Sequence, residues 1–414
     1  MDIISNLPDQ VMETILAHLP IIDAVRTSLL SNKWRYKWSS ISNLVFHESK
    51  ICSSTTDKKL RISKLVNFVD RVLLRHKGPI HRFELSTSLQ HGYVIDSWIL
   101  FLSKNGVKEI VLKFSTRNRY EVHSSFFSYE SICCLKLFGC ILKLPPMFKG
   151  FSDLRSLILE KVTLADEVLV SMISSCTNLE ILRLIQIEGC SCIKICGPNL
   201  QHFYLDGEFA DICFIDAPHL SFVSITLYSN EIAGDKHVVQ GEVSNLVRVL
   251  GCLTGLKKLE IYDFLMEFLA MGNPPKRLPI TYDRLKSISL LMNFKDLNQT
   301  LVMLCLLQSS PNLEELEMSA DKDDAMEDVG DFWEAQGRWN YSMNQLRVVT
   351  ISMLGECPEL EFIEFLLAYS PVLEIMSVNH TSEDIEEESR VLKELVSLRR
   401  VSPKAKIKYT GEVL

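Results

Sequence analysis

No stretch of this 414-residue chain reaches the roughly eighteen consecutive apolar residues that a spanning helix needs, although 47% of its residues are hydrophobic. The start, Met1-Asp2, lacks the basic, then apolar, then small-residue order of a secretory signal. Both absences point to an intracellular protein, nuclear or cytoplasmic, with no membrane partner. Its twelve cysteines are expected to be reduced in that setting. The densest group, Cys190, Cys192 and Cys196 with His202, Cys213 and His219 beyond it, has no pair at the spacing zinc prefers. These read as buried thiols acting as small hydrophobes, and no metal is assigned. Positive charge is also in deficit. A net charge of −8 argues against a general nucleic-acid binder. Finally, there is no phosphate loop, dinucleotide glycine pattern, zincin helix or nucleophile elbow. The chain is read as non-catalytic and without a cofactor.

What is present begins with an apolar surface too small to bury itself. Pro8 and Asp9 open a helix carrying Val11, Met12, Ile15, Leu16 and Leu19, which Pro20 ends. Asp23 can cap a second helix with Val25, Leu29 and Leu30, and Ser31 or Asn32 a third that puts Trp34 and Trp38 on one face. Three helices in under forty residues lie below the roughly forty-residue limit for an independent core. The excess is an interface or docks on the rest of the chain. With Arg26, Lys33, Arg35 and Lys37 the unit could instead be a DNA-reading helix-turn-helix, or a plain N-terminal cap.

These residues carry a resemblance. Leu7-Pro8-Asp9, Ile15-Leu16, Leu19-Pro20, Val25-Arg26, Leu30-Ser31 and Lys33-Trp34-Arg35 resemble the F-box in the version common in plants. The match spans about residues 3 to 47. The resemblance implies a small helical unit that packs on the Skp1 adaptor of a cullin-based ubiquitin ligase. By position, Leu7, Pro8, Ile15, Leu16, Leu19, Pro20, Leu30 and Trp34 are the candidate adaptor contacts, Trp34 alternatively holding the helices together.

From residue 80 a pattern of apolar-x-x-apolar-x-apolar recurs twelve times, from Ile80-Phe83-Leu85 through Leu154-Leu157-Leu159 to Leu373-Met376-Val378. The intervals, mostly between about twenty and thirty residues, fit leucine-rich repeats. Each unit is expected to give a short strand whose last two apolar residues enter the core. Segments such as 168–174, 301–307 and 362–368 have helical spacing and can pack behind the strands, so that stacking buries a core no unit has alone. The longest intervals hold 229–241 and 321–343, which read as inserted loops. Basic residues dominate Arg26 to Lys77, whereas Asp321 to Glu334 and Glu383 to Glu388 are acidic runs read as solvated.

Near the C-terminus, Phe332-Trp333-Glu334, Gln345-Leu346-Arg347-Val348-Val349, Gly355, Glu359-Leu360-Glu361-Phe362, Ser370-Pro371-Val372-Leu373-Glu374 and Ser402-Pro403-Lys404-Ala405 resemble the FBD region of plant F-box proteins. The expected architecture is α/β. Residues 1–47 form a three-helix F-box and 48–79 a helical linker. A leucine-rich-repeat solenoid fills 80–344, with strands on one side and helices outside, and 345–414 form an FBD-like cap with the last repeats. Alternation leaves Ile181, Arg183, Tyr204 and Phe222 facing outward, and exposed apolar and aromatic side chains on strands resemble an interface. They are the candidate substrate contacts. The resemblance implies the substrate receptor of a Skp1-cullin-F-box ligase, with an unknown protein as target. A ligase-independent repeat scaffold and a small-molecule sensor are the alternatives.

Overall fold

The computed structural model describes residues 7–53, 56–89, 92–117, 119–129, 131–228, 244–272, 274–321, 342–382 and 385–413. The chain divides into two compact units, Met1–Asn199 and Leu200–Leu414, and each is described by itself.

In the first unit, six strands run parallel and pair in chain order. They are β1 (Asn43–His47), β2 (Arg82–Thr87), β3 (Glu109–Phe114), β4 (Cys134–Phe138), β5 (Ser156–Glu160) and β6 (Ile181–Ile185). In the second, eight more do the same: β7 (His202–Gly207), β8 (Phe222–Leu227), β9 (Lys258–Asp263), β10 (Ser287–Met292), β11 (Glu315–Ala320), β12 (Val348–Met353), β13 (Ile375–Ser382) and β14 (Lys406–Val413). Every one of the twelve repeat motifs yields a strand. Its three apolar positions are buried, as at Leu154, Leu157 and Leu159, all 0% exposed. Ser156, Ile158 and Glu160 between them are half-buried and face outward, as period-two alternation requires.

Two of these fourteen strands lie outside the twelve. β1 falls in the last residues of the F-box-like stretch, and Ile41-Leu44-Phe46 there obeys the repeat spacing with all three side chains buried. At the other end β14 pairs with β13, but its pattern begins with Lys404 where a repeat has an apolar residue.

Two α-helices precede β1, and others return the chain between some of the strands. Those of the first unit are α1 (Asp9–Ala17), α2 (Ile21–Arg26), α3 (Glu48–Ile51), α4 (Lys58–Arg75), α5 (Gly92–Ser103) and α6 (Asp166–Ser175). The second unit has α7 (Asn245–Leu250), α8 (Leu265–Ala270), α9 (Leu297–Ser309), α10 (Cys357–Tyr369) and α11 (Ile385–Ser397). The three segments read as helical fall within α6, α9 and α10. α6 sets Asp166 and Glu167 in its first turn, where the helix dipole favours them, and buries Leu169, Met172 and Ile173. In α9 the Asp296 side chain accepts from the Asn298 and Gln299 amides, and in α10 Glu356 and Glu359 form a capping box.

The third helix expected after Ser31 or Asn32, carrying Trp34 and Trp38, is not an α-helix. Successive i to i−3 bonds, such as Trp34 N to Ser31 O at 3.1 Å, make turns, and Lys37–Ser40 is a short 3-10 helix. Ser39 and Ser40 donate their hydroxyls to the Tyr36 and Lys37 carbonyls, so these side chains compete for the groups an α-helix would use. Nor does Asp23 cap α2. Pro20 holds the cap position and Asp23 sits in the first turn. The Phe332-Trp333-Glu334 motif and the 229–241 segment lie outside the described residues, as does most of the acidic run from Asp321.

Candidate functional site

The N-terminal module sorts the eight expected adaptor residues by exposure. α1 turns Met12 and Leu16 inward, both 0% exposed, and Ile21 and Ala24 of α2 are buried as well. The neighbouring stripe of α1 stays outside, with Val11 at 42% and Ile15 at 39% exposure. Leu30 is 55% exposed, Pro8 and Pro20 are exposed, and Leu7 and Leu19 are half-buried. Trp34, at 2%, and Leu16 lie inside the module, so in this conformation they shape the surface without forming it. Sequence reasoning placed Leu29 on the same short helix as Leu30 but did not single it out. At 88% exposure it is the more exposed of the two, and Tyr36 at 58% was missed as well. The Leu29-Leu30 doublet was the available signal.

Polar contacts fix this shape. Lys33 Nζ donates to the Leu7 carbonyl at 2.7 Å, Lys37 pairs with Asp9 at 3.0 Å, and Ser28 Oγ donates to the Arg35 carbonyl at 2.7 Å. The hydrogen bond from Lys37 holds the Asp9 carboxyl below the usual carboxylate range. Arg26 is paired with Asp23 at 3.1 Å. Arg26, Lys33 and Lys37, three of the four cations that would serve a DNA-reading helix, are thus engaged within the module.

The expected substrate residues fall in both units. In the first, Ile181 and Arg183 are half-buried on the outward side of β6, alternating with fully buried Leu182 and Leu184. In the second, Tyr204 of β7 and Phe222 of β8 place their rings 4.7 Å apart at 37°, and His202 lies 6.0 Å from Phe222. Lys258 stands 5.8 Å from the Phe222 ring centre and pairs with Glu260 at 2.7 Å. This is a stepped aromatic shelf beside an ion pair.

The outward side of β2 to β4 is a charge ladder that sequence reasoning did not foresee. Arg82 bonds Glu84 and Glu109 at 2.7 Å each, Lys113 reaches Glu84 at 2.9 Å, and Lys136 lies 3.5 Å from Glu109. At the C-terminal ends of these strands is a cavity of about 550 Å³, lined among others by Glu48, Arg61, Ser86, Lys113, Phe138 and Glu160. Burial pushes the Glu48 carboxyl up, but hydrogen bonds from the Ser88 amide and hydroxyl and from Thr87, with the Arg61 charge, outweigh it and hold it below its usual value.

Of the cysteine group, Cys190 is buried and its thiol is pushed up to about 12, first by burial and then by Asp166. Cys192 and Cys196 end a short strand in the first unit, whereas His202, Cys213 and His219 belong to the second. Among the described residues no group of three or more His, Cys, Asp and Glu is arranged to hold a metal ion. No helix among them is long and apolar enough to cross a membrane.

Comparison with known proteins agrees with this geometry. Residues 4–46 match the family model of the F-box domain, and residues 95–318 match that of the LRR repeats of the FBD-associated F-box protein At5g56370. The F-box/FBD/LRR-repeat protein At1g13570 of Arabidopsis thaliana is 42% identical over 414 residues, covering 99% of this chain and 98% of that protein. The F-box/LRR-repeat protein At4g14096 of the same plant is 27% identical, covering 96% and 92%, and the putative F-box protein At3g58860 is 30% identical, covering 60% and 55%. An F-box module with exposed apolar side chains, followed by leucine-rich strands and matched end to end by such a relative, fixes the family: the chain belongs to the plant F-box/FBD/LRR-repeat proteins.

Proposed function

We propose that this protein is the substrate-recognition subunit of a Skp1-cullin-F-box ubiquitin ligase. In this reading residues 1–47 dock on a Skp1-like adaptor, which in turn engages a cullin, and the repeats over 80–344 with the end over 345–414 hold a target protein. The helical segment 48–79 joins the two. The chain itself catalyses nothing. It raises the local concentration of the target near a ubiquitin-charged enzyme, and proximity alone converts a bimolecular encounter into an effectively unimolecular one. Such work belongs inside the cell, in nucleus or cytoplasm.

The observation that carries the proposal is the uncovered apolar surface of the N-terminal module. Val11, Ile15, Leu29, Leu30 and Tyr36 are all 39% exposed or more, within a segment of under thirty residues. Apolar side chains clustered on so small a unit mark an interaction surface.

The double variant Ile15→Asp/Leu30→Asp tests it. Both side chains are exposed, so the fold is expected to persist, with circular dichroism and melting temperature unchanged. Binding to recombinant Skp1-type adaptor, measured by titration calorimetry, is expected to fall by roughly a hundredfold or more, the loss typical of two central anchors. Unaltered binding, with the fold intact, refutes the adaptor assignment.

A further inference from the structure

A second cavity, of about 430 Å³, lies within the first unit between the α1–α2 corner and the outward side of β1. Its size falls within the roughly 300–1,000 Å³ range of small-molecule sites. The lining has two chemistries. Leu19 and Ile22 of the corner, Val45 of β1 and Ile51 of α3 supply half-buried apolar walls. Asn43, His47 and Lys50 supply a polar edge, closed by Arg82, and His18, whose Nδ1 lies 2.8 Å from the Thr14 carbonyl oxygen, also lines the cavity.

The charge at that edge is unbalanced. Arg82 is already matched by Glu84 and Glu109, each at 2.7 Å. Asn43, His47 and Lys50 have no side-chain hydrogen bond or ion pair with any described residue, and among the described residues no Asp or Glu lines the cavity. The unmatched positive charge is therefore Lys50, flanked by an amide and an imidazole that can each donate a hydrogen bond. A bare inorganic anion would leave the four apolar walls facing water, and a wholly apolar ligand would strip water from Lys50 without replacing it.

We propose that this cleft binds a small organic anion, with a ring-sized apolar body against Leu19, Ile22, Val45 and Ile51 and one carboxylate or sulfonate at Lys50 and His47. The site does not depend on the ligase reading, because it is built from this chain alone. It adjoins that reading nonetheless, since Leu19 and the neighbouring Pro20 are also candidate adaptor contacts. An acidic segment of the adaptor is accordingly the competing occupant.

The probes are 1-naphthoate and its neutral isostere 1-naphthamide, titrated calorimetrically into the full chain. The acid is expected to bind roughly tenfold more tightly than the amide, the value of one charge-assisted hydrogen bond. Lys50→Gln is expected to remove that preference and leave the amide's affinity unchanged. Lys50 is exposed, so this variant keeps its fold. Val45→Asp, which sets a negative charge in the apolar wall, is expected to abolish naphthoate binding. A ternary complex with saturating Skp1-type adaptor, in which naphthoate still binds, supports the site. Equal affinity for acid and amide overturns the inference, as does a preference that survives Lys50→Gln. Complete displacement of naphthoate by the adaptor assigns the cleft to the adaptor and overturns it too.

Discussion

Glu48 is 4% exposed and yet is stabilised as the anion, and its partners explain what it does. One oxygen accepts from Thr87 Oγ1 at 3.0 Å, Ser88 N at 2.7 Å and Ser88 Oγ at 2.9 Å, while Arg61 Nη2 stands 3.1 Å from the other. The carboxylate thereby fastens α3 and α4 to the end of β2. Because its folded-state pKa lies below its ordinary value, the stability it contributes is present above the ordinary glutamate range and is lost as pH falls through the folded value. Glu48→Gln is expected to cost on the order of 2 kcal/mol at neutral pH. In urea titrations the gap between wild type and variant should be full at neutral pH and narrow as pH falls below the ordinary glutamate range. A gap that stays constant across that window sinks the assignment. Gly150 makes a different residue-scale demand. Its φ is +89°, and an added Cβ would stand 1.9 Å from the Ser175 carbonyl oxygen. Gly150→Ala must therefore move backbone against backbone at the C-terminal end of α6, and a loss of about 2 kcal/mol or more is expected in the same urea assay.

Successive repeats are tied by elements that the apolar pattern does not contain. The asparagine at the entrance to a strand donates its side-chain amide to a carbonyl one repeat earlier: Asn178 to Ser152 at 2.7 Å, Asn199 to Thr177 at 2.9 Å and Asn312 to Asp283 at 2.9 Å. Each closes a hydrogen bond that the strand ladder leaves unmade. Asn178→Ala and Asn312→Ala are each expected to cost about 1 kcal/mol. Since they lie in different units, the double variant should lose the sum, as a denaturation series would read directly. The strands themselves were legible because Leu and Ile at fixed spacing report burial, and burial is what the repeat is for. The corner phrases Thr177-Asn178-Leu179 and Pro311-Asn312-Leu313 were legible as corners, but not as ties, because a donor's acceptor lies in another repeat. Left-handed residues at the strand exits were illegible. Gly139 advertises the conformation at φ +66°, whereas Lys161, Gln186 and Asp263 adopt it at φ 52°, 49° and 52° without any such signal. The short third element of the N-terminal module was misread for a related reason. Two tryptophans four apart suit a helix, but the serines beside them bond locally and tighten the turn. β1 could have been read, since Ile41-Leu44-Phe46 has the spacing of the twelve repeat strands, and it was hidden only by lying inside a different motif.

At the scale of the molecule, the proposed adaptor surface and the candidate substrate surfaces use different physics, and that makes them separable. The first is mainly aliphatic side chains on helices and turns, with Tyr36 among them and Leu29 and Leu30 the barest aliphatic members. The second, in the unit from Leu200 onward, is the aromatic shelf of Tyr204 and Phe222, whose rings lie 4.7 Å apart on paired strands. Preorganised aromatic side chains lose little entropy on binding and so make strong anchors. If the shelf holds a target, Tyr204→Ala/Phe222→Ala should reduce recovery of that target by roughly thirtyfold or more, the threshold of a binding hot spot. Adaptor binding should stay at the wild-type level. Ile15→Asp/Leu30→Asp should give the converse, losing the adaptor while keeping the target. Proximity labelling in plant cells, with and without proteasome inhibition, reads both arms at once. A true target is labelled by wild type chiefly under inhibition, is labelled by the adaptor-dead variant in either condition because it is no longer degraded, and is absent from the shelf variant in both. A protein labelled equally by all three is a bystander, and a set consisting only of bystanders removes the shelf as the substrate site while leaving the adaptor surface untouched.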